Sequence, residues 1–171
     1  LNIALIGLGY WGKICLKTLL QISTIDIKYI VTSQQNPENI PTNIQLLNSW
    51  EDLLKKQDIN GIIIASPSAT HYNIAKAFIK KSIPVFIEKP MTLCVKQAQH
   101  LCQLEKQLNC PVVVDHILLF SPAFRSLCTY IKNNTLQIKS ILFTAGKPKA
   151  YSHDISLLWE WAPHDLAMCF Y

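Results

Sequence analysis

Three glycines at the spacing G-x-G-x-x-G, in Gly7-Leu8-Gly9-Tyr10-Trp11-Gly12, are well suited to hold a charged ligand. In a strand-to-helix turn the first glycine permits the tight bend. The second lets the backbone approach a pyrophosphate, and the third lets helix and strand pack closely. The helix that follows points free N–H groups at the anion. The expected ligand is therefore a dinucleotide, with Tyr10 and Trp11 beside it; packing on the first helix is the competing role for Trp11. Standing alone the motif is weak, and a plain turn competes with it. Its place at the first strand–helix junction of an alternating chain gives it force. A ribose-binding acid is expected near the end of the second strand. Val31-Thr32-Ser33-Gln34 offers no Asp or Glu there, and no Arg for a 2′-phosphate. The Thr32 and Ser33 hydroxyls and the Gln34 amide suit either cofactor, so NAD and NADP both stay open.

The elements that must position this loop are legible in the hydropathy. Asn2–Ile6, Ile27–Val31, Gly61–Ala65, Pro84–Ile87 and Val112–Val114 are short apolar runs that read as buried parallel strands. Between them, Tyr10–Leu20, His71–Lys81 and Thr92–Asn109 have helical apolar spacing, and Ser49 caps a short helix with Asp52 three residues on. Ser33–Thr42 is polar and proline-punctuated, a loop. Pro122 opens a helix expected to run to about Ile131, and Ile138–Thr144 reads as a further strand. Strands alternating with helices imply an α/β fold, a Rossmann doubly wound parallel sheet. The expected division is a dinucleotide-binding domain over residues 1–120 and the start of a truncated α+β substrate domain over 121–171.

Four ordered motifs then narrow the reading. Ala65-Ser66-Pro67-Ser68-Ala69-Thr70-His71 follows one strand, and Ile87-Glu88-Lys89-Pro90 follows the next. Val114-Asp115-His116 leads to Phe120-Ser121-Pro122-Ala123-Phe124, and Trp159-Glu160-Trp161-Ala162-Pro163-His164-Asp165-Leu166 closes the series. In these the chain resembles the Gfo/Idh/MocA oxidoreductases, and most of all members acting on sugars or sugar nucleotides. It departs from them in Leu119-Phe120, where many relatives have Arg-Phe, and in Glu160, where Asp is usual. The resemblance implies hydride transfer between a nicotinamide and a secondary hydroxyl or keto group of a sugar, sugar nucleotide or cyclitol. It makes Lys89 the contact to nicotinamide ribose and substrate hydroxyl, and His164 the catalytic proton acceptor.

The chemistry of the side chains agrees with those roles. An alcohol oxidation needs a base for the hydroxyl proton and a donor or cation for the developing alkoxide. Lys89 follows a strand at the sheet edge where open α/β folds place ligands; a surface lysine before a turn is the competing reading. The imidazole of His164 belongs to the residue type whose unperturbed pKa, about 6.5, suits reversible proton transfer; a packed or capping histidine is the competing reading. Glu160, four residues earlier, is placed to face the same site. Ser66 and Pro67 are expected to border the nicotinamide and ribose. His71 supports its helix as readily as it touches cofactor, and Glu88 is expected near the cofactor with a partly structural role. Asp115 and His116 are candidates for the substrate pocket, as are Trp159 and Trp161, which an apolar domain seam explains equally.

Composition bounds the remaining classes. The 171 residues are half apolar and carry a net charge of +5. The lysines are scattered, without the basic stripe and interleaved aromatics of a nucleic-acid binder. No apolar run reaches the length of a membrane span, and Leu1–Ile6 lacks the basic leader of a signal peptide. A cytoplasmic protein with a small-molecule partner is expected, with neither nucleic acid nor membrane. The six cysteines form no C-x-x-C pair, so buried or half-buried reduced thiols are expected and a metal is not. The chain is expected to stop before its substrate half is complete. That leaves two further expectations: self-association into a homo-oligomer through an exposed strand edge, and, as the alternative function, nucleotide binding without catalysis.

Overall fold

The computed structural model describes residues 1–144 and 156–171. The chain divides into two units, Leu1–Asp115 and His116–Tyr171.

The first unit is a six-stranded parallel sheet flanked by helices. Its strands are β1 (Asn2–Ile6), β2 (Asp26–Val31), β3 (Gln45–Leu47), β4 (Gly61–Ile64), β5 (Val85–Glu88) and β6 (Val112–Asp115), in the order β3-β2-β1-β4-β5-β6. The chain winds outward from β1 in one direction and then restarts at β4 on its other side. That reversal makes the crevice beyond β1 and β4 the place where such sheets bind ligands. The helices of this unit are α1 (Tyr10–Leu19), α2 (Ser68–Ile79) and α3 (Val95–Leu108), with a 3₁₀ turn at Trp50–Lys55. β3 is a strand the hydropathy reading missed.

The central strands β1 and β4 are apolar on both sides because both their faces are covered. Ile6, Ile62, Ile64, Val85 and Ile87 join Ile74, Phe78 and Ile79 of α2 and Leu101 of α3 in one core. Leu5, Ile30 and Ile63, alternating with them along the strands, join Leu16 and Leu19 of α1 in the other. Phe78, Leu5, Ile64 and Ile87 are fully buried, and each such side chain contributes about 1.5–3 kcal/mol. Together these two layers hold the strand ends, and the loops leaving them, in place.

The second unit contains a 3₁₀ turn at Ile117–Phe120 and the helices α4 (Pro122–Asn133) and α5 (Leu157–Cys169). Pro122 stands in the first turn of α4, as expected. The Arg125 guanidinium lies over the Phe120 and Tyr171 rings, 5.4 and 5.1 Å from their centroids, and its Nε donates to the Leu119 carbonyl at 2.7 Å.

Three sequence expectations need correction. Ile138–Thr144 pairs with no strand among the described residues. Its β-branched residues supply propensity, but a strand exists only through ladder partners; Ile138, Ile141 and Leu142 are exposed. The strand edge expected to drive self-association is therefore not formed there. The helix expected from His71 begins three residues earlier, directly after Pro67. Among the thiols, Cys94, Cys102 and Cys169 are exposed rather than buried or half-buried. No described helix is long and apolar enough to cross a membrane.

Candidate cofactor site

A cleft of about 630 Å³ opens at the C-terminal edge of the sheet, walled by the loops after β1, β2 and β4 and by Asn48 just beyond β3. It gathers Gly7, Gly9, Tyr10 and Trp11 from the first loop, Thr32 and Ser33 from the second, and Ser66 and Pro67 from the third. These are eight of the residues singled out in the sequence. Leu8, Gln34, Asn48, Trp50, Thr70 and Ile74 complete much of its lining. Asn48 and Trp50 escaped sequence reasoning because β3 did; a strand ending at Leu47 would have pointed to the residues just after it.

The three glycines differ in what requires them. Gly7 has φ +98°, and a Cβ there would lie 2.5 Å from the Ser66 backbone nitrogen. A Cβ on Gly12 would lie 2.0 Å from the Gly7 carbonyl oxygen. Gly7 is glycine because of its positive φ and the close approach of the loop after β4, and Gly12 because the β1–α1 junction folds onto itself. Gly9 has ordinary φ of −70°, and beyond its chain neighbours a Cβ there meets no atom of the described residues within 4 Å. The fold does not demand a glycine at this position, yet it borders the cleft. An atom-sized clearance beside the backbone is what close approach of a ligand would use.

The start of α1 fits an anion. No side chain caps it, and no acidic residue stands in its first turn. Its first N–H groups lack intrahelical acceptors by geometry, and the helix dipole leaves that end positive. Among the described residues, the cleft lining contains no charged side chain. At its far end Thr32 accepts from the Gln34 N–H at 3.1 Å, and Gln34 Nε2 donates to the Leu8 carbonyl at 2.9 Å, tying the β2 loop to the glycine loop. These residues fit a dinucleotide: glycine backbone and helix start toward the pyrophosphate, neutral hydroxyls and amides toward the ribose.

The loop after β4 is internally fastened. The Thr70 hydroxyl donates to the Pro67 carbonyl at 2.7 Å. Its one proton thus committed, Thr70 accepts from the Ser66 hydroxyl, also at 2.7 Å. His71 does not line the cleft. It is buried, with Nε2 2.8 Å from the Ser66 carbonyl and Nδ1 3.0 Å from the Pro90 carbonyl. Its ring bridges the cleft loop and the turn after β5. Burial lowers its pKa, opposed by the two carbonyls.

Lys89 and Glu88 stand at the C-terminal end of β5, Lys89 half-buried before the cis Lys89–Pro90 bond. Glu88 is the cross-strand neighbour of Asp115 on β6, and the two carboxyls are hydrogen-bonded. Burial, and then the Asp115 charge, push Glu88 up to about 7. Glu88, Lys89, Gly12 and His71 are not part of the cleft wall. In the second unit, Glu160, Trp161 and His164 lie half-buried on α5, with Glu160 and His164 one helical turn apart on one face. His116 occupies the position before the Ile117–Phe120 turn, with no side-chain capping hydrogen bond to it.

Comparison with known proteins agrees with the cleft. Residues 1–116 match the family described as GFO_IDH_MocA, oxidoreductase family, NAD-binding Rossmann fold. Human biliverdin reductase A is 33% identical over 98 residues, covering 57% of this chain and 33% of that protein. Inositol 2-dehydrogenase of Pseudarthrobacter chlorophenolicus is 27% identical over 144 residues, covering 80% of this chain and 42% of that protein. A solved oxidoreductase-family fold from Magnetospirillum magnetotacticum superimposes with a TM-score of 0.84 at 30% identity, over 99% of this chain and 56% of that one. The chain thus spans about a third to two fifths of the length of these two curated relatives. The glycine loop, the parallel sheet and the family match lead to one conclusion: this chain belongs to the Gfo/Idh/MocA oxidoreductases with an NAD-binding Rossmann fold.

Proposed function

We propose that this chain carries the cofactor half of an NAD- or NADP-dependent dehydrogenase acting on a secondary hydroxyl or keto group of a sugar, sugar nucleotide or cyclitol. The observation that carries the reading is the neutral cleft of about 630 Å³ at the sheet's switch point, where Gly9 faces open space. The nicotinamide would supply the hydride acceptor. In oxidation Lys89 stabilises the developing alkoxide, and His164 takes the hydroxyl proton, with Glu160 supporting it. His116 and Trp161 contribute to the substrate pocket. The likeness to an inositol 2-dehydrogenase supports the polyol substrate. The likeness to a biliverdin reductase favours a second reading, a reductase for a conjugated organic substrate on the same cofactor site.

Binding of NADH and NADPH is measured by energy transfer from Trp11 and Trp50, which both line the cleft. Turnover is then followed with cyclitols, sugar nucleotides and biliverdin. Oxidation of a polyol, lost in Lys89→Ala while cofactor binding is kept, is the expected result. Cofactor binding with no polyol turnover refutes the polyol reading: turnover of biliverdin then supports the second one, and turnover of nothing leaves nucleotide binding without catalysis.

A further inference from the structure

An acid pair, Glu88 buried and Asp115 half-buried, stands beside Lys89, and the cofactor chemistry does not use it. Glu88 and Asp115 are direct neighbours across the parallel β5–β6 ladder. Side chains so placed emerge on the same face of the sheet, from strands about 4.8 Å apart. Glu88 is only 7% exposed, and its Oε1 is buried with no hydrogen-bond partner among the described residues. Its hydrogen bond to Asp115 has a chemical requirement. Ionised carboxylates are acceptors only, so two of them bond to each other only when one carries a proton.

We propose that Glu88 and Asp115 form a one-proton carboxyl pair at neutral pH, and that this pair positions Lys89 as a single-charged counter-group. The proton lies between the two oxygens and the remaining negative charge is shared. One negative charge then faces one lysine ammonium. Loss of the shared proton would set two carboxylates against each other one residue from Lys89, and the turn carrying Lys89 would have to respond.

Among the described residues, Lys89 itself and Cys15 on α1 are titratable groups in electrostatic reach of the pair. Burial, with the charges of Glu88 and Asp115, pushes the Cys15 thiol up to about 11. It therefore stays neutral and does not compete for the proton near pH 7. Lys89 and the backbone act the other way on Glu88, drawing it toward ionisation. The upward displacement of Glu88 to about 7 is the net of burial and Asp115 against these. Like charges sharing a site commonly divide in this way, with one group titrating ordinarily and the other held up.

The consequence for hydride transfer rests on the dehydrogenase reading; the proton pair does not, and its test needs no turnover. Carbon-detected NMR follows the Glu88 side-chain carboxyl and the Lys89 Cε across pH 3–9 in the whole chain. The expected midpoint for Glu88 is near 7, with a matching inflection at Lys89. In Asp115→Asn the amide can donate to an ionised Glu88, so the Glu88 midpoint falls by about one unit or more. In Glu88→Gln the Lys89 inflection disappears. A Glu88 that titrates at an ordinary carboxylate value in the unsubstituted chain overturns the proton pair, even if the variants fail to fold. A Glu88 midpoint near 7 with no inflection at Lys89 overturns its positioning role. Turnover of a polyol with an ordinary Glu88 would leave the dehydrogenase reading standing and remove the pair; a raised Glu88 without turnover would do the reverse.

Discussion

Gly9→Ala separates what the fold needs from what the ligand needs. Beyond its chain neighbours the new methyl meets nothing among the described residues within 4 Å, and φ of −70° is comfortable for alanine. Stability should therefore stay within about 1 kcal/mol of the parent, with a small gain if the unfolded chain loses freedom. The same methyl occupies the clearance where a pyrophosphate would approach the N–H groups of the loop. Losing one hydrogen bond to a charged group costs about 1.5–3 kcal/mol. At 1.4 kcal/mol per tenfold, cofactor affinity should fall by about ten- to a hundredfold. Gly12→Ala is the contrast. Its methyl would lie 2.0 Å from the Gly7 carbonyl oxygen, a backbone atom that cannot swing aside. The cost is that of an overpacked core, about 1–3 kcal/mol or more, so both stability and binding should drop. Thermal melting and tryptophan-to-NADH energy transfer measure the two effects on the same samples. Unfolding of Gly9→Ala, or unchanged NADH affinity in it, would refute the assignment of Gly9 to the ligand.

The remaining predictions concern the supports of the site. Removing the His71 ring in His71→Leu leaves the buried Pro90 carbonyl and the part-buried Ser66 carbonyl facing an apolar side chain, at about 1–3 kcal/mol. Chemical denaturation should show it, and an unchanged midpoint would mean that the ring is no brace. Glu88 binds its proton more tightly folded, at about 7, than at the ordinary 4.5. Its stabilising contribution is thus complete below about pH 4.5 and is lost as pH rises through 7, by up to about 3 kcal/mol. Urea melts at a series of pH values should show that decline and a flatter curve in Glu88→Gln; the same slope in both would assign it elsewhere.

Much of this architecture was legible because its strands are buried on both faces. Ile62, Ile63 and Ile64 read as a strand without alternation, and their neighbours Ala4, Leu5 and Ile6 do the same. Loops that end such runs with glycine or proline announce themselves, which is why eight cleft residues could be named in advance. β3 could not, since three residues beginning with a glutamine carry almost no periodicity. Its identity comes from pairing with Tyr29, Ile30 and Val31. Ile138–Thr144 is the opposite case, a strand-like composition without a ladder among the described residues. In both instances the deciding fact is the partner, and a partner is not a local property of sequence.

The same distinction explains the acid pair. Glu88 and Asp115 each end an apolar strand, and each drew notice separately, one as a cofactor-side acid and the other as a pocket candidate. They are 27 positions apart, and the intervening α3 hides their relation. Parallel pairing of β5 with β6 in the register Val85↔Val112 carries Glu88 onto Asp115 three residues later. A shift of that register by one residue would send the Asp115 side chain to the opposite face. The apolar packing of Ile87 and Val114 into the core that also holds α2 and α3 opposes such a shift. The chemistry proposed for the carboxyl pair therefore depends on hydrophobic residues that take no part in it. Polar substitution of Ile87 should disturb the Glu88 titration along with the fold, whereas substitution at exposed Val113 should leave that titration in place.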